Sequence, residues 1–439
     1  MANPDLQSPI LPPPADPAAI TSWRQRRFGI FIHWGLYSLQ GRGEWALFTE
    51  QQDLRDYARL AERFTGQGFD APDIAAVIKD AGAGYLVMTA RHHDGFCLWD
   101  SQTSDFSSMR TAARRDFIGE MASALRAQGL GVGFYYSPMD WRFPGFFFPR
   151  MYQASAEAMR AQCHAQVREL SSNYGPLDVL WYDGGDDWWL GHGGIETGPD
   201  GWRQRCPFKS PGWMSTQTFK AAQRNNAECP GFWQTEALNA EVRQRQPGIL
   251  INDRSGSWAG DFDTREQEDG GLQAERPWER CATLAGSWGW TPEHPTLAVE
   301  EAIRLLARIA CRDGNLLLNI SPGPDGSIDA AQRQALAGIG AWMRTHGDTI
   351  VGTRGGPFKP GAWGGATWSG TTVFLHLPRL PQSPLVLPDL PVAPQAVRLR
   401  GGGELDWRRA DGWLTIKLPS GLPAEPDTII EVHYAERCW

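Results

Sequence analysis

Residues 177–185 read Leu-Asp-Val-Leu-Trp-Tyr-Asp-Gly-Gly, an apolar run that ends in an acid and two glycines. Val179 and Leu180 suit the inside of a parallel sheet, and Asp183 stands where such a strand runs out and the backbone turns. Barrel enzymes keep their catalytic groups at that end of their strands. A carboxylate beside Trp181 and Tyr182, followed by glycines that let a ligand approach, suits a nucleophile facing a sugar ring. A single Asp in such a place is more often a helix cap, so the reading depends on what else the chain brings to it.

The elements needed to position such a group recur along the chain. Short apolar stretches at 28–33, 85–89, 132–136, 178–182, 249–252 and 315–320 read as strands, and 72–80, 116–128, 151–172, 299–311 and 330–345 read as amphipathic helices. This alternation predicts a parallel sheet, and at 439 residues a (β/α)8-like barrel fits better than an open doubly wound sheet. No GxGxxG or GxxxxGKS/T run opens a helix, which argues against nucleotide binding. Past residue 351, alternating stretches at 371–377, 396–399, 414–418 and 428–434 between Pro/Gly turns predict a C-terminal all-β sandwich. His376 and His433 lie there without an acidic or cysteine partner at ligand spacing and read as ordinary strand residues. The expected division is an N-terminal extension at 1–22, a barrel at 23–350 and a sandwich at 351–439. An insertion at 184–233, carrying Trp188, Trp189, Trp202, Trp213 and Trp233, is expected to wall the substrate cleft.

Composition excludes several classes of function. A net charge of −8 without a long basic run disfavours nucleic acid and anionic membranes, and no apolar run approaches the length of a membrane span. Seven cysteines without CxxC or Cys/His spacing support neither a zinc site nor a disulfide framework, although Cys206 and Cys229 could pair within the insertion. The proline-rich start lacks the apolar core of a signal peptide, so the expected compartment is the cytoplasm, or the periplasm or exterior if a leader has been removed. Twenty-one tryptophans exceed what a core needs and point to stacking on sugar rings.

Further segments repeat the pattern of a strand ending in polar or aromatic groups: FGIFIHWG (28–35) with GEW (43–45), ARHHDGF (90–96), GFYYS (133–137), and INDR (251–254) followed by DFDTREQE (261–268). With LWYDGG, WERC (278–281), SWGW (287–290) and NLLLNISPGPDG (315–326), they resemble in order glycoside hydrolase family 29, the alpha-L-fucosidases. The resemblance spans roughly residues 23–350. It implies a retaining exo-glycosidase on a barrel with a C-terminal β-sandwich, needing no cofactor or metal and acting on fucosylated glycans or glycosides. It also implies Asp183 as nucleophile and Glu266 as acid/base. His33, Glu44, Trp45, His92, His93, Tyr136, Trp181, Arg254 and Trp288 match positions that enclose the fucose.

Chemistry supports those assignments. A retaining glycosidase needs two carboxyl groups about 5–5.5 Å apart, and Asp183 and Glu266 would come from successive strand ends. Glu44, Glu268, Glu275 and Glu279 are the rival acids. His92 and His93 with Asp94 invite a metal reading, but neighbours on a strand point to opposite faces and would not readily share an ion. Imidazoles bonding sugar hydroxyls fit better. Tyr136 and Arg254 could orient the carboxylates. An aromatic pocket suits the C6 methyl of fucose, worth on the order of 0.8 kcal/mol when buried. The alternatives are a retaining glycosidase for a similar sugar such as galactose and a carbohydrate-binding barrel without catalysis. Activity should accordingly survive prolonged dialysis against a chelator; a loss restored by zinc or calcium would overturn the reading of the histidine pair.

Overall fold

The computed structural model describes residues 13–50, 52–147, 149, 152–184, 231–256, 260–273, 275–293, 295–380, 384–422 and 426–439, with a short antiparallel pair at Glu196–Thr197 and Gln204–Arg205. Most of the 184–233 insertion, including Trp188, Trp189, Trp202, Trp213, Cys206 and Cys229, lies outside the described residues. The cysteines among the described residues are unpaired.

Eight strands make the first layer: β1 (Phe28–Ile32), β2 (Tyr85–Arg91), β3 (Gly131–Tyr136), β4 (Val179–Tyr182), β5 (Leu250–Ile251), β6 (Asp263–Glu266), β7 (Trp278–Thr283) and β8 (Asn315–Ile320). They pair in parallel in the order β5-β4-β3-β2-β1-β8-β7-β6. The edge strands β5 and β6 meet through one bridge between Asn252 and Phe262. Asp261 braces that seam, donating its N–H to the Ile251 carbonyl at 2.7 Å and accepting the Ile251 N–H on its carboxylate at 2.8 Å. The sheet curls into a barrel whose last seam is a few bonds rather than a ladder. The segment after Trp278 reads as strand-like and is β7, but β6 is not expected as a strand, because Asp-Thr-Arg-Glu lacks an apolar run and is recruited by its neighbours.

Helices pack outside. Those at Ala71–Asp80, Phe117–Ala127 and Ala330–His346 each begin on an aspartate, Asp70, Asp116 or Asp329, whose carboxylate accepts an N–H of the first turn. Such a cap is worth about 1 kcal/mol. Strand alternation divides the apolar side chains into two populations. Phe31, Tyr85, Val87, Tyr135, Val179, Trp181, Cys281 and Leu317 cluster inside the barrel, while Ile30, Ile32, Leu86, Tyr136 and Tyr182 join the shell under the helices. Trp23, from the helix Pro17–Arg26, plugs the floor against Phe262 with rings 4.6 Å apart.

The C-terminal part stacks a five-stranded antiparallel sheet and a three-stranded one around their own apolar cluster. His376 lies on the strand Thr372–Leu377, as its sequence suggests, and gains its acidic partner from afar. Its Nδ1 lies 2.6 Å from Asp427 and its Nε2 3.1 Å from Thr367, partners that come together only when the sheet forms.

A buried ionic hub ties the barrel floor to the strand Arg354–Gly355. The fully buried Asp313 carboxylate takes Arg24 at 2.5 Å, Arg354 at 2.7 Å, Arg27, and the Gly355 N–H at 2.9 Å. Burial alone would raise the carboxyl pKa, but the arginines hold it below its ordinary value. The stability this contributes is present above the ordinary carboxylate range and is lost as pH falls through the depressed value. Asp313→Ala strands three guanidinium groups and should cost about 3–5 kcal/mol in denaturant unfolding. A loss under about 1 kcal/mol would show the hub to be dispensable.

Candidate active site

At the C-terminal mouth of the barrel lies a cavity of about 310 Å³, lined by Phe31, His33, Glu44, Trp45, His92, His93, Tyr135, Trp181, Asp183, Arg254, Glu266, Cys281 and Trp288. Asp183 follows β4, and Gly184 takes the left-handed turn after it at φ 74°, with Met139 too close to admit a Cβ. One Asp183 oxygen meets Arg254 Nη1 at 3.0 Å; the other accepts the Tyr135 hydroxyl at 2.9 Å and lies 3.6 Å from His93 Nε2. Arg254 Nη2 reaches Glu266 Oε2 at 2.9 Å, so one guanidinium holds both carboxylates. Its Cζ sits 5.3 Å from the centre of the Trp181 ring. Burial would lower the Arg254 pKa, but Asp183 and Glu266 raise it, keeping the cation fixed.

The histidines read as neutral hydrogen-bonding groups. Asn319 donates its amide to the Trp288 carbonyl at 2.9 Å, which leaves its oxygen to accept from His33 Nδ1 at 2.7 Å. Nε2 of His33 therefore presents a lone pair to the cavity. Burial pushes the His33 pKa down to about 4 and drives that of His92 well below its ordinary value. Contrary to the expectation from strand alternation, both His92 and His93 line the cavity. The strand ends at Arg91, and the turn closed by Gly95 N–H on the His92 carbonyl brings the two rings to the same side, 4.1 Å apart. Glu44 is buried and accepts the Gly289 N–H at 2.7 Å; burial raises its pKa.

Two further expectations need correction. Tyr136 does not line the cavity: its hydroxyl donates to Gln166 at 2.9 Å and Arg91 lies over its ring, on the helix side of the sheet. Its neighbour Tyr135 takes the inward position, because successive strand residues face opposite ways and the GFYYS segment leaves the register open. Asp183 and Glu266 do not come from successive strands, since β5 lies between them in the chain. Phe31 and Cys281 were also missed; the period of two through His33 and Glu279 could have suggested which neighbours point inward. Among the rival acids, Glu268 and Glu275 are exposed and away from the cavity, and Glu279 is buried inside the barrel.

The sequence profile of the alpha-L-fucosidases matches residues 14–348. The chain belongs to the alpha-L-fucosidase family. Within it, this chain is 26% identical to the mouse tissue alpha-L-fucosidase over 99% of its own length and 93% of the relative's. It is 29% identical to the human plasma alpha-L-fucosidase over 77% and 70% respectively. Alpha-L-fucosidase isoenzyme 1 from Paenibacillus thiaminolyticus superposes with a TM-score of 0.78 at 30% identity, covering 95% of this chain and 99% of that one. The Thermotoga maritima alpha-fucosidase in complex with fucose gives 0.72 at 28% identity, covering 94% and 96%. The chain is an alpha-L-fucosidase, a glycoside hydrolase; a galactose-directed or non-catalytic barrel is not favoured. No helix among the described residues is long and apolar enough to cross a membrane.

Replacing either tyrosine separates the inward from the outward position. Tyr135→Phe removes a hydrogen bond to a charged carboxylate and should lower kcat/KM about tenfold or more. Tyr136→Phe should leave kcat/KM within about twofold while lowering thermal stability. Equal kinetic losses in the two variants would refute the division.

Proposed function

We propose that Asp183 and Glu266 carry out the double displacement on a terminal alpha-L-fucosyl unit, Asp183 as nucleophile and Glu266 as acid/base. The observation that carries this reading is the single guanidinium of Arg254 shared by both carboxylates at the mouth of one cavity. Asp183 is the deeper of the two, with its side chain 19% exposed against 42% for Glu266. The deeper carboxylate suits attack on the anomeric carbon, and the outer one suits contact with the leaving group and then with water.

In the first step an Asp183 oxygen bonds to the anomeric carbon as the glycosidic bond breaks, and the Glu266 carboxyl gives its proton to the departing oxygen. Arg254 and Tyr135 hold Asp183 so that attack needs no reorientation. In the second step the Glu266 carboxylate takes a proton from water, whose oxygen attacks the same carbon and releases Asp183. Two inversions leave the configuration retained. His33, with its Nε2 lone pair, and Glu44 are suited to accept sugar hydroxyls. Phe31, Trp288 and Cys281 offer an apolar wall for the C6 methyl. The T. maritima relative bound to fucose, and the same enzyme bound to a mechanism-based inhibitor, support a fucosyl ligand here. The leaving group would be a glycan or a simpler glycoside.

Azide rescue tests both roles through the anomer formed. Asp183→Ala should abolish turnover, and external azide should then displace the leaving group once and give the beta azide. Glu266→Ala should hardly slow the first step on activated aryl fucosides but strongly slow natural disaccharides, and with no base the second step becomes limiting, so azide should accelerate turnover by attacking the enzyme-bound intermediate to release alpha-fucosyl azide. Near-normal hydrolysis by Asp183→Ala, or beta azide from Glu266→Ala, would sink the respective assignment.

A further inference from the structure

Beneath the cavity the barrel encloses a further carboxylate that the reaction scheme does not use. Glu279 points inward from β7 and is completely buried. Its Oε1 accepts the indole N–H of Trp181 at 3.0 Å, and its Oε2 accepts the hydroxyl of Tyr85. Room for the Tyr85 ring comes from Gly29 on β1, where any Cβ would stand 2.4 Å from that ring. Among the described residues no cation pairs with this carboxylate. Arg26, on the helix below and near Tyr85, is engaged with Asp178 at 2.8 Å, and Arg254 lies over the Trp181 ring, bonded to Asp183 and Glu266. Cys281, two residues along β7, is the other titratable neighbour.

The surroundings accept Glu279 in either protonation state. Ionised, it takes both hydrogen bonds just described. Protonated, it can donate from Oε2 to the Tyr85 oxygen, provided that the Tyr85 hydrogen finds another acceptor. Asn315 stands beside the Tyr85 hydroxyl: one N–H of its amide donates to the Trp23 carbonyl at 2.9 Å, its contact with Tyr85 lowers the phenol pKa as a donor does, and its Oδ1, buried without a partner, is the acceptor to which the Tyr85 hydrogen would turn. Turning one hydroxyl hydrogen accommodates the extra proton, and the Trp181 bond persists. Burial pushes the Glu279 pKa up to about 7, with the Tyr85 and Trp181 bonds opposing the rise.

We propose that Glu279 is a positioning residue for the fucosidase reaction, a proton-exchanging carboxyl whose charge acts through the Trp181 indole on Arg254 and so on the two carboxylates that Arg254 holds. A negative charge on the indole N–H enriches the ring face that attracts the guanidinium. Protonation weakens that attraction and loosens Arg254. The inference rests on the assignment of Asp183 and Glu266 made above.

Glu279→Gln is close in shape and reproduces the neutral state, with its oxygen accepting from Trp181 and its amide donating to Tyr85. The ratio of variant to wild-type kcat/KM on an aryl alpha-L-fucoside should be near one at about pH 5, where Glu279 is itself neutral, and fall about two- to fivefold by about pH 8. Taking the ratio cancels titrations that the two proteins share. Because a raised carboxyl pKa makes folding less favourable as pH rises from the ordinary carboxylate range to about 7, the variant's Tm relative to wild type should also improve over that range. Tyr85→Phe removes a bond to the ionised form, so the midpoint of the pH dependence should move upward, a readout that stands if Glu279→Gln fails to fold. A ratio that does not vary with pH, whether one or lower, would overturn the inference, as would an unmoved midpoint in Tyr85→Phe. A wild-type chain inactive on the aryl fucoside would strike the fucosidase reading itself, whereas an active one with a flat ratio strikes only Glu279.

Discussion

The site depends on one cation. Asp183 and Glu266 would repel each other across a cavity partly withdrawn from water, and Arg254 offsets that repulsion by bonding to both. A guanidinium suits this better than an ammonium, because its rigid planar fork holds two nitrogens toward the two carboxylates and its flat face rests on the Trp181 ring. The remaining polar groups of the site are arranged around that choice. The histidines His33 and His92 are kept neutral by burial, so they add hydrogen-bonding capacity without adding a second cation that would compete for the carboxylates.

Holding the cation in place is a task for the whole barrel. Trp181 is gripped from three sides: Tyr135 stacks on it at 5.6 Å, Phe31 meets it edge-on at 5.0 Å, and Glu279 takes its N–H from below. Trp23 and Phe262 close the floor under this stack, and Asp313 with its arginines fastens the floor to the C-terminal sheets. A packed column of side chains thus runs from the ionic hub at the bottom of the barrel to the carboxylates at its top, with Glu279 joining Tyr85 below to Trp181 above. Close packing of this kind tolerates little adjustment, so a loss of volume far below the cavity should be felt at its mouth.

The histidine pair illustrates how a local rule gives way to a turn. Alternation holds as long as the strand lasts, and on β3 and β4 it places Tyr135 and Trp181 inward and Tyr136 and Tyr182 outward. β2 ends at Arg91, so His92 and His93 follow the geometry of the next turn and both face the sugar site. Catalytic groups concentrate at such places because strand ends combine a rigid base with freedom of direction.

By itself the sequence determined the class of fold and the chemistry. Apolar runs of strand length alternating with helical patterns were enough for a parallel barrel, since burial on both faces leaves a composition signal independent of partners. The motifs around His33, Glu44, His92, Asp183, Arg254 and Glu266 were legible because together and in that order they resemble those of the alpha-L-fucosidases; singly, each would read as a cap or a core residue. Tertiary structure alone decided which of Tyr135 and Tyr136 faces inward, since a two-residue period is satisfied by either register. It also decided that β6 is a strand, that Glu279 is enclosed with Tyr85 and Trp181, and that His376 has Asp427 as its partner. Each of these rests on a contact between residues far apart in the chain, and local composition carries no record of which distant strand will supply the other half.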